Sequence, residues 1–205
     1  HTYGVEKVQH AIVDGVDSVV VDGAKLAFEE NVHLLTTSVK YARASGRDVL
    51  VEGELGYIGT SSKVMDTLPE GAAITEAMMT KPEELRALVD QTGIDLVAPA
   101  VGNIHGIVTS GQPKLSIERI ALLKEAVSVP LVLHGGSGSA DEEFKAAVQA
   151  GITLIHINTD LRVLYRDSLQ KALSGGETTP YKFLTPAVEA MQAYVAQKMT
   201  LFANR

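Results

Sequence analysis

The stretch PLVLHGGSG, residues 130–138, decides how the rest of the chain reads. A run of apolar residues ends on His134, and glycine and serine follow at once. Continuous apolar character, without alternation, marks a strand covered on both faces, as in a parallel sheet. His134 then stands at the carboxyl end of that strand, beside glycine backbone that a ligand can approach closely. Four more short runs end in the same manner. Ser18–Asp22 (SVVVD) ends on Asp22 and Asp48–Glu54 (DVLVEGE) on Glu54. Asp95–Val101 (DLVAPAV) leads into Asn103 and His105, and Thr153–Asn158 (TLIHIN) ends on Asn158. Between and around them lie amphipathic stretches at Val5–Val13, Asn31–Ser45, Lys81–Gln91, Ser116–Ala126 and Asp141–Ala150. Each is long enough for a crossover helix, so the pattern is α/β with a parallel sheet.

A polar residue at the tip of every strand favours a closed ring over an open sheet. Open α/β sheets gather ligands at one switch point, whereas (β/α)8 barrels build sites from all their strand ends. The expected fold is therefore a (β/α)8 TIM barrel with about five C-terminal strand–helix units visible. Residues 1–205 read as a single domain, the C-terminal portion of such a barrel, with no internal linker. Three strands are expected ahead of His1, which corresponds to about 80 further residues. Thr60–Thr80 is the one long, loosely patterned stretch, and the tail after Thr185 reads as a terminal helix.

Composition narrows the function. Net charge is −7 over 205 residues, so no basic footprint argues for nucleic acid. An acidic surface repels phosphorylated ligands at long range, and any phosphate site must be built locally from backbone N–H groups and a cation. The chain has no cysteine, which removes thiolate ligands and disulfides and suits the cytoplasm. No run of about 18 apolar residues is present to span a membrane, and no signal-peptide pattern occurs.

Two histidines at strand ends, His105 in GNIHG (102–106) and His134, are candidate metal ligands. Imidazole is a common zinc ligand, and a catalytic zinc keeps three protein ligands and one open position. The competing reading is a pair of hydrogen-bonded histidines at a barrel rim. His10 and His33 fall inside helical stretches and read as surface residues. The GGSG turn (135–138) and the Asn158–Asp160 turn each open onto a helix, where free N–H groups suit an anion. Alternation along the fifth run puts Leu154, His156 and Asn158 on one face, so His156 is expected to face the barrel interior. There it is either a satisfied core histidine or a group facing substrate. Asp22 and Glu54 either hold a cation and orient metal ligands, or cap the following segments.

In VVVDGAKLAFEEN (19–31), VEGELGYIG (51–59), AVGNIHG (100–106), PLVLHGGSG (130–138) and INTDLR (157–162) the chain resembles the class II fructose-bisphosphate and tagatose-bisphosphate aldolases, more the shorter tagatose-type branch. The tail YKFLTPAVEAMQAYVAQKMTLF (181–202) is similar to the family's closing helix. The resemblance implies a (β/α)8 barrel and a zinc held by His1, His105 and His134. It implies phosphate-binding backbone at Gly106, at Gly135, Gly136 and Ser137, and at His156, Ile157, Asn158 and Thr159. Asp22 and Glu54 match carboxylates that hold a second cation, divalent or monovalent, in some members. The implied reaction is reversible cleavage of a ketose bisphosphate to dihydroxyacetone phosphate and glyceraldehyde 3-phosphate, a carbon–carbon lyase step of glycolytic carbohydrate metabolism. The implied partners are sugar phosphates, with no nucleic acid or membrane, in a cytoplasmic homo-oligomer (dimer or tetramer). The family's proton-donor Asp directly precedes its first zinc histidine, a position ahead of His1.

Beyond the three strands and the Asp expected ahead of His1, the sequence departs from the family in two places. His156 stands where the family usually has Asn, and Leu154 where it has Lys, which makes His156 the candidate catalytic group. The loop after Gly59 reads TSSKVMDTLPEG, without the family's Gly-Gly and acidic run, and neither Glu70 nor Glu76 is assigned the role of a loop acid. Pro99 falls inside a strand run, where its missing donor is unusual. Two alternatives stand beside the bisphosphate aldolase: an aldolase for another ketose phosphate, and a non-catalytic aldolase-like accessory subunit.

Overall fold

A computed structural model describes residues 1–59, 62–68 and 74–203. In chain order its elements begin with α1 (Val5–Val13), β1 (Ser18–Val21), α2 (Phe28–Ala44), β2 (Leu50–Leu55) and β3 (Val64–Met65). A 3-10 turn (Glu76–Met78) leads to α3 (Pro82–Thr92), β4 (Leu96–Pro99), β5 (Ile107–Val108), α4 (Ile117–Ala126) and β6 (Leu131–Leu133). The remainder is α5 (Asp141–Ala150), β7 (Ile152–Ile155), α6 (Thr159–Leu173), α7 (Pro180–Phe183) and α8 (Thr185–Ala203).

One five-stranded sheet runs β1-β2-β4-β6-β7, with every neighbouring pair parallel. Consecutive parallel strands joined by helices on one face are the repeating unit of a (β/α)8 barrel. Five such units are present, and among the described residues the sheet is open at β1 and β7. Thr2 makes an isolated parallel bridge to Val21, so the first residues run alongside the free edge of β1.

Side-chain parity separates the two faces of the sheet. Val19, Val21, Val51, Val97, Leu131 and Leu133 face the helices and join the buried apolar cluster with Leu35, Leu88, Leu123 and Phe144. The other face carries Glu52, Glu54 and His134 toward the interior, all at most 2% exposed. At Gly53 a Cβ would come within 2.9 Å of Ile94 and 3.1 Å of Leu35, so the missing side chain lets α2 and the segment after α3 close on β2.

Local signals explain the helix ends. Pro82 at the first turn and Gly93 in the left-handed conformation just past the end bracket α3. The Ser116 hydroxyl accepts from the Arg119 N–H at the start of α4. Glu30 and Glu143 reach back to the backbone N–H groups of Ala27 and Ala140, closing the starts of α2 and α5. Inside the loosely patterned 60–80 stretch, β3 pairs with β5 in a separate two-stranded sheet. Pro99 is the last residue of β4, and Ala100 resumes donation to the Leu55 carbonyl at 3.1 Å. No helix of the described residues is long and apolar enough to cross a membrane.

Candidate active site

The carboxyl ends of the strands open into a cavity of about 240 Å³. His1, His105, His134 and His156 all line it, together with the GGSG turn and the start of α6. His10 and His33 are exposed on α1 and α2, away from it.

Each imidazole at the centre is held by a different device. His134 extends β6 by one residue, and its Nε2 lies 2.6 Å from Glu52 Oε1, with both side chains buried. Asn103 fixes the backbone at that point: its amide donates to the His134 carbonyl at 2.8 Å and its carbonyl accepts from Val101 N–H at 2.7 Å. His105 sits in the β4–β5 loop with Nδ1 2.8 Å from the Gly59 carbonyl, which makes Nδ1 the donor and leaves Nε2 free. His1 Nδ1 lies 2.9 Å from Glu54 Oε1 and 3.4 Å from Asp22 Oδ2. The Asn31 amide of α2 donates to the Glu54 carbonyl at 2.9 Å and so fixes the tip of β2.

One nitrogen each from His1, His105 and His134 falls within 4.8 Å of the others. The His134 Nδ1 is buried and makes no hydrogen bond among the described residues, although Glu54 Oε1 lies 3.3 Å away in unfavourable geometry. A buried imidazole nitrogen with no donor to meet is costly unless something positive occupies the space before it. This donor set of nitrogens with carboxylates behind them fits a metal ion of the zinc type. Asp22, Glu54 and His1 form a second close group beside it.

The electrostatics point the same way. The carboxylates of Asp22 and Glu54 push His1 up to about 10. Burial pushes His134 down, but Glu52 and Glu54 outweigh it and hold the group at about 9. Burial pushes Glu54 up, while His1 and His134 outweigh it and bring it to about 2. The site is therefore arranged to carry positive charge among the imidazoles. His156 differs: burial lowers it, so its ring is held neutral. It stacks on His134 with centroids 4.5 Å apart.

The residues expected at a phosphate divide. Gly106, Gly135, Ser137, Asn158 and Thr159 line the cavity. Gly135 has φ +62°, and a Cβ there would meet the Ile104 carbonyl oxygen at 2.2 Å, so this turn requires glycine. Gly136 backs onto Phe144 and Ile157 packs against the apolar cluster, and neither is among the residues that line the cavity. Glu76 pairs with Arg119 at 3.1 Å, outside the cavity, and Glu70 lies outside the described residues. Tyr3, Gly59 and Ser62 line the cavity without having been singled out from the sequence. Glu52 was also missed, although it lies two residues before Glu54 on the same strand face.

A strand-end cavity with three converging imidazoles beside glycine-rich turns offers a donor set for a metal ion at the face where (β/α)8 barrels gather their sites. Comparison with known proteins identifies its kind. The family model for fructose-bisphosphate aldolase class-II matches residues 1–205. The fructose-bisphosphate aldolase of Geobacillus stearothermophilus is 34% identical over all of this chain, which spans 68% of that protein. That of Staphylococcus epidermidis is also 34% identical, with the same coverage. Among solved structures, the YdjI aldolase of Escherichia coli K12 superposes with a TM-score of 0.81 at 30% identity, over 98% of this chain and 67% of that one. A putative fructose-1,6-biphosphate aldolase from Coccidioides immitis gives 0.81 at 27% identity, over 99% and 69%. The chain belongs to the class II fructose-bisphosphate aldolase family, carbon–carbon lyases of carbohydrate metabolism that are generally metal-dependent.

Proposed function

We propose that this protein reversibly cleaves a ketose bisphosphate, such as fructose 1,6-bisphosphate or tagatose 1,6-bisphosphate, to dihydroxyacetone phosphate and glyceraldehyde 3-phosphate. The observation that carries it is the buried Nδ1 of His134, which has no hydrogen-bond partner among the described residues, on a ring that brings a nitrogen within 4.8 Å of one from each of His1 and His105 beside the glycine-rich turns. In this reading His1, His105 and His134 hold zinc, and Asp22 and Glu54 serve a second cation. Zinc supplies Lewis acidity toward the carbonyl and hydroxyl oxygens of the ketose.

The remaining work falls to the chain's own groups. Glu52 fixes the His134 ring by holding Nε2–H and thereby presents Nδ1 as a lone pair. The backbone of Gly106, Gly135 and Ser137, with Asn158 and Thr159, receives the phosphate near the metal. His156, kept neutral by burial, would donate a hydrogen bond to the substrate oxygen on which charge develops. A second cavity, of about 490 Å³, adjoins the first through Ser62 and Thr159 and is lined by Lys63, Arg162 and Arg166. These cations suit the far phosphate of a bisphosphate. The reading is completed by a single domain over 1–205, a cytoplasmic setting and a homo-oligomer.

The test is cleavage of a panel of ketose phosphates by the native protein, with and without a chelator. Chelator-sensitive cleavage, with a lower KM for bisphosphates than for monophosphates, is expected. Stoichiometric zinc without cleavage of any substrate would instead indicate an accessory subunit. His156→Ala is expected to lower kcat by about 100-fold, the usual cost of losing one donor to a developing oxyanion, with zinc content unchanged. Unaltered turnover would remove His156 from the mechanism.

A further inference from the structure

Asp160 places a carboxylate at the edge of the proposed phosphate site, and the structure shows what restrains it. Its backbone N–H donates to Ser137 Oγ at 3.2 Å. Its Oδ2 accepts from Gly138 N–H at 3.4 Å and from the Tyr194 hydroxyl at 2.8 Å. One residue thus ties the GGSG turn to the start of α6, and its shortest partner comes from the terminal helix α8.

The same helix grips the turn a second time. Lys198, one turn beyond Tyr194, pairs with Asp141 at 2.6 Å at the start of α5. Its ammonium also lies 4.8 Å from the Phe144 ring centroid and 5.5 Å from that of Tyr194. Phe144 in turn backs Gly136, where a Cβ would come within 3.1 Å of its ring. The GGSG turn is therefore braced by α8 at Gly138 through Asp160, and at Gly136 through Phe144.

We propose that Tyr194 is a positioning residue for the phosphate turn: its hydroxyl holds the Asp160 carboxylate against Gly138 and away from the anion. This rests on the assignment of the GGSG and Asn158–Thr159 turns to phosphate. Without the hydroxyl, the carboxylate loses its shortest donor. It then turns to the N–H groups of the turn, the donors that an incoming phosphate needs, and adds its charge against the anion.

The experiment compares the native protein with Tyr194→Phe, and uses Tyr165→Phe on the exposed side of α6 as a control. Calorimetry with inorganic phosphate gives Kd, and fructose 1,6-bisphosphate cleavage gives KM and kcat. Y194F is expected to raise Kd and KM about tenfold, the scale of one charge-assisted hydrogen bond, with kcat within about twofold, zinc content constant and Y165F unchanged. Adding Asp160→Asn to Y194F removes the competing charge and is expected to restore most of the phosphate affinity. A Y194F protein with a lower melting temperature but parental Kd and KM would overturn the proposal, as would a double variant as weak as Y194F. Absence of phosphate binding by the parent protein would overturn the phosphate-turn assignment and this inference with it. Parental binding that Y194F leaves intact would overturn this inference alone.

Discussion

Replacing His134 with alanine is expected to strip the protein of zinc and to lower ketose bisphosphate cleavage by about 1000-fold or more. A Lewis acid contributes several kcal/mol of charge stabilisation at the reacting oxygens, and about 4 kcal/mol corresponds to a factor near 1000. The substitution also acts on the protein itself. Glu52, 1% exposed, has the His134 Nε2 as its close partner at 2.6 Å. Breaking a buried charged pair from one side costs about 3–5 kcal/mol when the survivor stays ionised. Two readouts therefore move together, zinc content by elemental analysis and midpoint stability by denaturant titration. Retained zinc and near-parental cleavage would show that His134 is an ordinary core histidine.

Phe144→Ala should produce the largest loss of stability from a single apolar change, about 3–5 kcal/mol, the usual range for deleting a buried aromatic ring. For a chain of this size that corresponds to a fall in melting temperature of roughly 10 °C. Phe144 is fully buried on α5, with its ring edge-on to Phe202 at 5.4 Å and under Lys198 at 4.8 Å. It joins α5, α8 and the back of Gly136, so few neighbours are free to collapse into the space. The loss should also reach function through the GGSG turn, as weaker substrate binding with zinc retained. A change below about 1 kcal/mol would mean that the α5–α8 packing does not support the turn.

The five main strands were legible because each is a dense apolar run, and five of the helices because their apolar spacing is regular. α1 and α5 match their expected limits, whereas α2 begins at Phe28, ahead of the expected Asn31. That start is closed by Glu30 reaching back to Ala27 rather than by a Ser, Thr, Asp or Asn side chain, so the usual signal was missing. β3 and β5 were not visible, since two residues carry no periodicity and their pairing joins segments over 40 positions apart. At the site, strand-end position was enough to single out Asp22, Glu54, His105 and His134, and alternation put His156 on the interior face. Glu52 obeys the same alternation but lies one step below the rim, where a charged residue is unexpected without its partner in view. Asn31 and Tyr194 act from helices, through contacts that no local pattern records.

The most direct test of the account is diffraction from crystals of the native protein on either side of the zinc absorption edge. The account predicts one anomalous peak about 2.0–2.1 Å from a ring nitrogen of each of His1, His105 and His134, with a fourth position open to solvent. A zinc-loaded, cleavage-competent crystal with its ion elsewhere, or with no ion among these three imidazoles, would contradict it.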